Sequence, residues 1–293
     1  MTQRRPTYQR TSQPPGMRLT ERDKRILEAI HSHEGILADY QIQAQFFAGR
    51  RTAQERLSKL YHNGYLERPD RRKRASLPYM VYWLAEAGAA EVAALYGEEL
   101  AEFKYRATPR WSLVEHDIAV NDFRLTVEDA AEHIPEIELL EWIPSSEFWS
   151  EADQVEYELP SGEMATRKVR PDGYFVIKAE GFAFRRLLEI DRATEDNPRF
   201  GREKVVPGIA YLRSDAYARR IGARTGCWLV VTTSDRKLAN LKAQTERVAG
   251  RNALSFAFTT FDRVGAETVL TEPIWIPGGS NKPATFWDLG PGQ

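Results

Sequence analysis

Three carboxylates stand where metal-assisted chemistry could use them. Asp172 lies in Arg170-Pro-Asp-Gly173, and Glu189 and Asp191 lie in Glu189-Ile-Asp-Arg192. Residues two apart on a strand share a face, so Glu189 and Asp191 can act as a pair. Hard oxygen donors of this kind suit magnesium or manganese (Mg2+ or Mn2+), with water completing the shell. The competing reading is structural. Asp172 with Gly173 can make a turn, and Glu189 and Asp191 can pair with Arg185 or Arg202.

A second set of residues suits nucleic acid. The spacing predicts a helix over Arg51 to His62, with Ala53, Leu57, Leu60 and Tyr61 facing inward. Arg51, Thr52, Gln54, Glu55, Ser58 and Lys59 then face outward, with Arg50 just ahead of them. Arg, Gln and Glu can pair with base edges, while Ser, Thr and Lys hold phosphate. Downstream, Arg68-Pro-Asp-Arg71-Arg72-Lys73-Arg74 places five cations in seven residues. Each cation that meets a phosphate releases a counterion.

Helices and strands must position both sets. Residues 1–19, with Pro6, Pro14, Pro15 and four arginines, read as a flexible basic tail. Thr20 is a good N-cap, with Asp23 three residues on, and Ile26, Leu27 and Ile30 form one apolar stripe. Ile36 and Leu37 read as a short extended stretch. A short helix over Tyr40 to Phe46, a turn at Gly49 and the Arg51–His62 helix follow. Tyr65 and Leu66 start a strand, residues 67–77 form a basic loop, and Tyr79 to Leu84 return. An Ala-rich helix covers 85–96. This is the order of a winged helix-turn-helix over residues 20–98, in which the third helix enters the major groove and the hairpin tip meets phosphate or minor groove.

Residues 110–276 read as a second, α/β domain. A helix is predicted over Leu113 to Ala131. Strands are predicted at Ile137 to Ile143, Val169 to Ile177, Phe184 to Ile190, Cys227 to Thr233 and Leu254 to Thr260. Helices are predicted from Arg202 to Arg213, continuing toward Arg220, and from Asp235 to Ala249. Residues 277–293, rich in Gly and Pro, read as a flexible tail.

Composition narrows the partners. Residues 1–74 carry 16 Lys/Arg against 8 Asp/Glu, and the rest carry 25 against 34. A basic front on an acidic back suggests that one part meets a polyanion and another does not. The single cysteine, Cys227, allows neither an internal disulfide nor a thiolate zinc site. No apolar run is long enough to cross a bilayer and no secretory leader is present, so a cytoplasmic protein is expected. No P-loop, GxGxxG or zinc-finger spacing appears.

An acid on one strand and an acid pair on the next resembles the PD-(D/E)xK nuclease fold. That resemblance implies Asp172 and Glu189 as metal-binding positions and puts Asp191 where the fold has its catalytic lysine. Lys204, on the following helix, is then the candidate replacement, with Lys168 a second source. The phrase Tyr79-Met-Val-Tyr-Trp-Leu-Ala-Glu-Ala-Gly88 resembles the strand-to-helix passage of winged-helix repressors.

Leu19-Thr-Glu-Arg-Asp23, His116-Asp-Ile-Ala-Val-Asn-Asp122, Arg170-Pro-Asp-Gly173 and Glu189-Ile-Asp-Arg-Ala-Thr-Glu195 together resemble the replication-relaxation family of plasmids and mobile elements. The resemblance implies an α+β or α/β chain, with a winged helix-turn-helix followed by a restriction-endonuclease-like mixed-sheet domain. It implies a double-stranded DNA-binding protein acting in replication, mobilisation or their transcriptional control. A metal-dependent nickase and an adaptor for a relaxase or replication protein are the alternatives. His116 is expected to hydrogen-bond an acid such as Glu189 or Asp191. A homodimer through the Ala-rich helix is also expected.

Overall fold

Thr20 caps the first helix of the computed structural model, which describes residues 8–158, 162–192 and 197–290. The start of the basic tail, including Pro6, lies outside the described residues, as do Ala193-Thr-Glu195 of the acidic motif and residues 291–293. The chain divides into two units, Met1–Asp122 and Phe123–Gln293.

In the first unit, α1 (Glu21–Ser32) opens on a capping box. The Thr20 hydroxyl accepts from Asp23 N, and the Asp23 carboxylate accepts from Thr20 N at 2.7 Å. Ile26, Leu27 and Ile30 are fully buried on one stripe. β1 (Leu37–Ala38), α2 (Asp39–Phe46) and α3 (Arg50–His62) follow. β2 (Leu66–Glu67) leads into a connection holding one helical turn, α4 (Arg71–Arg74). The sequence predicts an open loop there, but Asp70 accepts from Lys73 N at 2.8 Å and caps a turn. β3 (Val81–Leu84) returns as the central strand of a three-stranded antiparallel sheet in the order β1-β3-β2.

α5 (Glu86–Tyr96) then packs so close to the chain before β2 that a Cβ at Gly88 would stand 2.0 Å from the Tyr65 carbonyl oxygen. Only glycine fits this approach.

α6 (Val114–His133) carries the boundary between the units. Its first half belongs to the first unit through buried polar contacts. Asp117 accepts from Arg106 at 2.9 Å and from Arg110 at 3.0 Å. The Asn121 side chain donates to the carbonyls of His33 and Ile36. Gln41 donates to Ile118 O and to Asp122. The sequence places His116–Asp122 on the first helix of the second domain. Its apolar spacing is blind to these polar contacts, which put it in the first unit.

Part of the N-terminal stretch is held as well. Arg10 donates to the carbonyls of Tyr61 and Leu66 and pairs with Glu67 at 2.9 Å.

The second unit is built on a six-stranded mixed sheet. β4 (Ile137–Pro144) is followed by α7 (Ser145–Ser150) and by a separate antiparallel hairpin, β5 (Asp153–Glu158) and β6 (Met164–Val169). β7 (Gly173–Ala179) and β8 (Phe182–Asp191) re-enter the main sheet. The predicted Val169–Ile177 strand is therefore two strands, separated at Arg170-Pro-Asp172, because proline interrupts the ladder. α8 (Asn197–Phe200), a π-helical turn at Gly201–Val205, α9 (Val206–Arg213) and α10 (Asp215–Ile221) replace the single predicted helix. Ser214 ends α9 and caps α10, accepting from Tyr217 N.

β9 (Cys227–Thr232), α11 (Asp235–Ala249), β10 (Phe256–Thr260) and β11 (Ile276–Pro277) complete the unit. The strand order is β11-β10-β9-β8-β7-β4. β8, β9 and β10 are parallel, and the remaining pairings are antiparallel. The protein is thus α+β with a mixed sheet.

Alternation along β7 and β8 divides the interior. Tyr174, Val176 and Leu187 join the core made with α9, α10 and α11. Phe175 meets an aromatic group instead, stacked on Trp142 at 5.1 Å with Phe123 and Phe286 nearby.

Arg186 is fully buried on that aromatic side. It donates to the carbonyls of Phe286 and Leu289 and lies 4.7 Å over the Phe286 ring. The composition after Pro277 predicts a loose tail, yet Phe286 and Leu289 are buried, Phe286 against Phe175 and Phe184, and their carbonyls accept from this cation. Arg186→Ala should lower stability by about 2–4 kcal/mol, since buried acceptors lose a charged donor and a cavity opens. Chemical denaturation measures the loss. Protease cleavage within residues 278–290 should speed up in the variant, and an unchanged cleavage rate would refute the role given to Arg186.

Candidate nucleic-acid interface and an acidic cluster

The outward face of α3 follows from its apolar spacing. Ala53, Leu57, Leu60 and Tyr61 are buried, while Arg50, Arg51, Thr52, Gln54, Glu55 and Lys59 are exposed and Ser58 is half-buried. Gly49 enters the helix in an extended conformation. Arg51 and Glu55 form an ion pair at 2.9 Å, one turn apart and open to water. Such pairs are weak, so both side chains can exchange this contact for another.

The basic connection splits into two classes. Arg71 and Arg72 are exposed on α4. The other three cations are engaged by their own unit. The Arg68 guanidinium lies 3.9 Å over the Tyr61 ring, and the Lys73 ammonium 4.3 Å over Trp111. Arg74 donates to the Leu77 carbonyl. Arg10 approaches Tyr61 as well, 5.2 Å from its ring centroid. Sequence reasoning left Arg10 in a loose tail, and nothing local to it signals this contact.

Arg56 is another residue the sequence reading passed over. It sits on α3 between the outward positions, but its guanidinium turns to Asp23, donating Nε to Oδ1 at 2.7 Å and Nη2 to Oδ2. A third donation reaches Arg18 O at 2.8 Å. Asp23 is fully buried. Burial works to raise its pKa, but the hydrogen bonds from Arg56 and Thr20 outweigh it and hold the carboxyl below its ordinary value.

In the second unit the predicted acids occupy neighbouring strands. Glu189 and Asp191 share one face of β8, and Asp172 precedes β7 beside them. Each is engaged by protein groups. Asp172 Oδ2 accepts from Ile190 N at 2.7 Å. Glu189 takes the Lys204 ammonium at 2.7 and 2.9 Å on its two oxygens. Asp191 Oδ2 accepts from Thr232 Oγ1 at 2.7 Å, with Lys237 Nζ at 3.9 Å. Lysines from the π-helical turn and from α11 thus meet Glu189 and Asp191. Lys204 was singled out in the sequence; Lys237 was not. Among the described residues no group of three or more His, Cys, Asp or Glu side chains is arranged to hold a metal ion.

The replication-relaxation family matches residues 27–225, more than half of the chain. The chain belongs to the replication-relaxation family. No curated protein and no solved structure matches it. Family membership suggests a role in the replication or mobilisation of a plasmid or other mobile element.

In this replication-relaxation protein the family match runs from within α1 to just before β9. It takes in α3, the basic connection and all three predicted acids, together with Lys204. Lys237, on α11, falls beyond it. Among the described residues no helix is long and apolar enough to cross a membrane.

Proposed function

We propose that the first unit is a winged helix that binds double-stranded DNA, and that the protein acts on a plasmid or mobile element as a DNA-binding regulator or adaptor. One observation carries the reading. The exposed polar face of α3 and the basic β2–β3 connection border one cleft, with Arg50 and Gln54 on one side and Arg74, Pro78 and Tyr79 on the other. A helix in the major groove and a neighbouring connection on phosphate is the docking geometry of this class. Gln54 and Glu55 face base edges in that pose, and Arg50, Arg51, Thr52, Ser58 and Lys59 face the backbone.

The second unit carries 22 Lys/Arg against 26 Asp/Glu. In this reading it meets a protein partner, such as a replication protein or relaxase. The exposed Leu95 and Tyr96 at the end of α5 offer a homodimer contact.

The test is supercoiled plasmid incubated with pure protein, with and without manganese, beside Asp172→Ala. The expected result is a mobility shift with the plasmid left intact by both proteins. Manganese-dependent nicking by wild type alone would make the protein a nuclease and overturn the regulator reading. No shift at any salt concentration would overturn DNA binding itself.

A further inference from the structure

We propose that the cleft between α2, α3 and the β2–β3 connection is a nucleotide site, taking one unstacked base together with its phosphate. The cleft encloses about 340 Å3. That is within the usual range of small-ligand sites. Its floor is apolar: Ala53 and Leu57 reach it from α3, and both are buried. Tyr40 and Tyr79 form one wall, their rings edge to face with centroids 5.4 Å apart. Aromatic walls accept any base by stacking.

Tyr40 is fixed in this role. Its hydroxyl donates to both carboxylate oxygens of Asp122, at 2.8 and 2.7 Å, so the ring is held although it is 40% exposed. A ring positioned in advance loses little freedom when a base arrives.

The polar rim sorts the ends of the ligand. Arg50 from α3 and Arg74 from the connection line the cleft from two elements. Guanidinium is the side chain best matched to phosphate: Arg50 is exposed, and Arg74 keeps N–H donors beyond the one given to Leu77 O. Gln43 and Gln54 add amides that both donate and accept, as the edge of a base requires. Asp39 is the one carboxylate of the lining. It repels phosphate from its own end and can accept from an exocyclic amino group.

Two sources can supply such a nucleotide: a base extruded from the DNA on which α3 rests, or a free nucleotide. The first rests on the DNA-binding reading above, and the second does not. Full-length protein is titrated with two fluorescent probes, 2-aminopurine deoxynucleoside 5′-monophosphate and a duplex carrying one unpaired 2-aminopurine. A fully paired duplex is titrated alongside.

The expected result is quenching of at least one probe by stacking. Gln43→Trp, which fills the cleft, and Tyr40→Leu, which removes the ring, should each raise the Kd of that probe at least tenfold. Gln43→Trp should leave paired-duplex affinity within threefold. Quenching of the monophosphate assigns the cleft to free nucleotide, and quenching of the unpaired duplex alone assigns it to DNA. No quenching of either probe by protein that binds the paired duplex overturns the nucleotide site. Quenching that survives both substitutions overturns it too. Failure of the paired duplex to bind would instead remove the DNA-binding reading. The monophosphate titration then decides the cleft by itself: quenching keeps the site, and its absence overturns it.

Discussion

Exchanging Arg50, Arg51, Arg71 and Arg72 together for alanine should weaken binding to any duplex about a thousandfold near physiological salt. Each cation at a phosphate contributes about 0.9 to the slope of log K against log salt, so four contacts give a slope change of about 3–4. These four are exposed, and the one ion pair among them, Arg51 with Glu55, is open to water. Lys73 and Arg74 belong to the same basic run, but Trp111 and the Leu77 carbonyl already engage them. Alanine at those two positions should therefore change the slope less than alanine at Arg71 and Arg72. Gln54→Ala should behave differently, costing about 1–3 kcal/mol on the recognised sequence and little on other DNA. Anisotropy titrations at several salt concentrations separate the cases. An unchanged slope in the fourfold variant would remove both α3 and the connection from the phosphate backbone.

Arg56→Ala should destabilise the first unit by about 3–5 kcal/mol, because it leaves the buried Asp23 carboxylate without its cation. The substitution strikes α1 and α3 at once, since Asp23 also closes the capping box of α1. Asp23→Asn should cost less, because the charge it leaves unpaired is that of Arg56, which reaches water, and not a carboxylate that is fully buried. The pair also sets an acid limit. The Asp23 carboxyl is held below its ordinary value of 3.8. Its contribution is complete above that value and is lost as pH falls through the lower, folded-state pKa. Wild type should thus lose stability below about pH 4 more steeply than Asp23→Asn, with little difference between pH 5 and 8. Urea unfolding at a series of pH values measures this. Parallel curves for the two proteins would show that Asp23 is not charged and paired in the folded state.

The first unit was largely legible because its signals are local. Thr20 with Asp23, the inward spacing of Ala53, Leu57 and Leu60, and the aromatic and β-branched strand before Gly88 each fix an element within a few residues. The cation run was equally visible, but its division was not. Whether Arg68 meets phosphate or the Tyr61 ring depends on a residue seven positions away and on the turn between them. In the second unit the parallel strands were visible as apolar runs. The β5–β6 hairpin passed unread because its inward side, Val155, Tyr157 and Val169, holds few apolar residues among many polar and charged ones, although its burial alternates along both strands. The acids were found because strand periodicity places Glu189 and Asp191 on one face. Their partners came from the π-helical turn and from α11, elements whose placement over the sheet no short stretch of sequence specifies.

The helix shared between the units also dictates where the gene can be cut. A fragment ending at residue 98 matches the boundary expected from the order of elements in the sequence and would look like a complete small domain. It would lack Asp117, Asn121 and Asp122, and with them the partners of Gln41, Tyr40 and the His33 and Ile36 carbonyls. It would also uncover Ile36, Val81 and Trp83, which pack with Val114 and Ile118. Such a fragment should aggregate on expression, whereas one carried past Asp122 to the end of the helix keeps every one of those contacts.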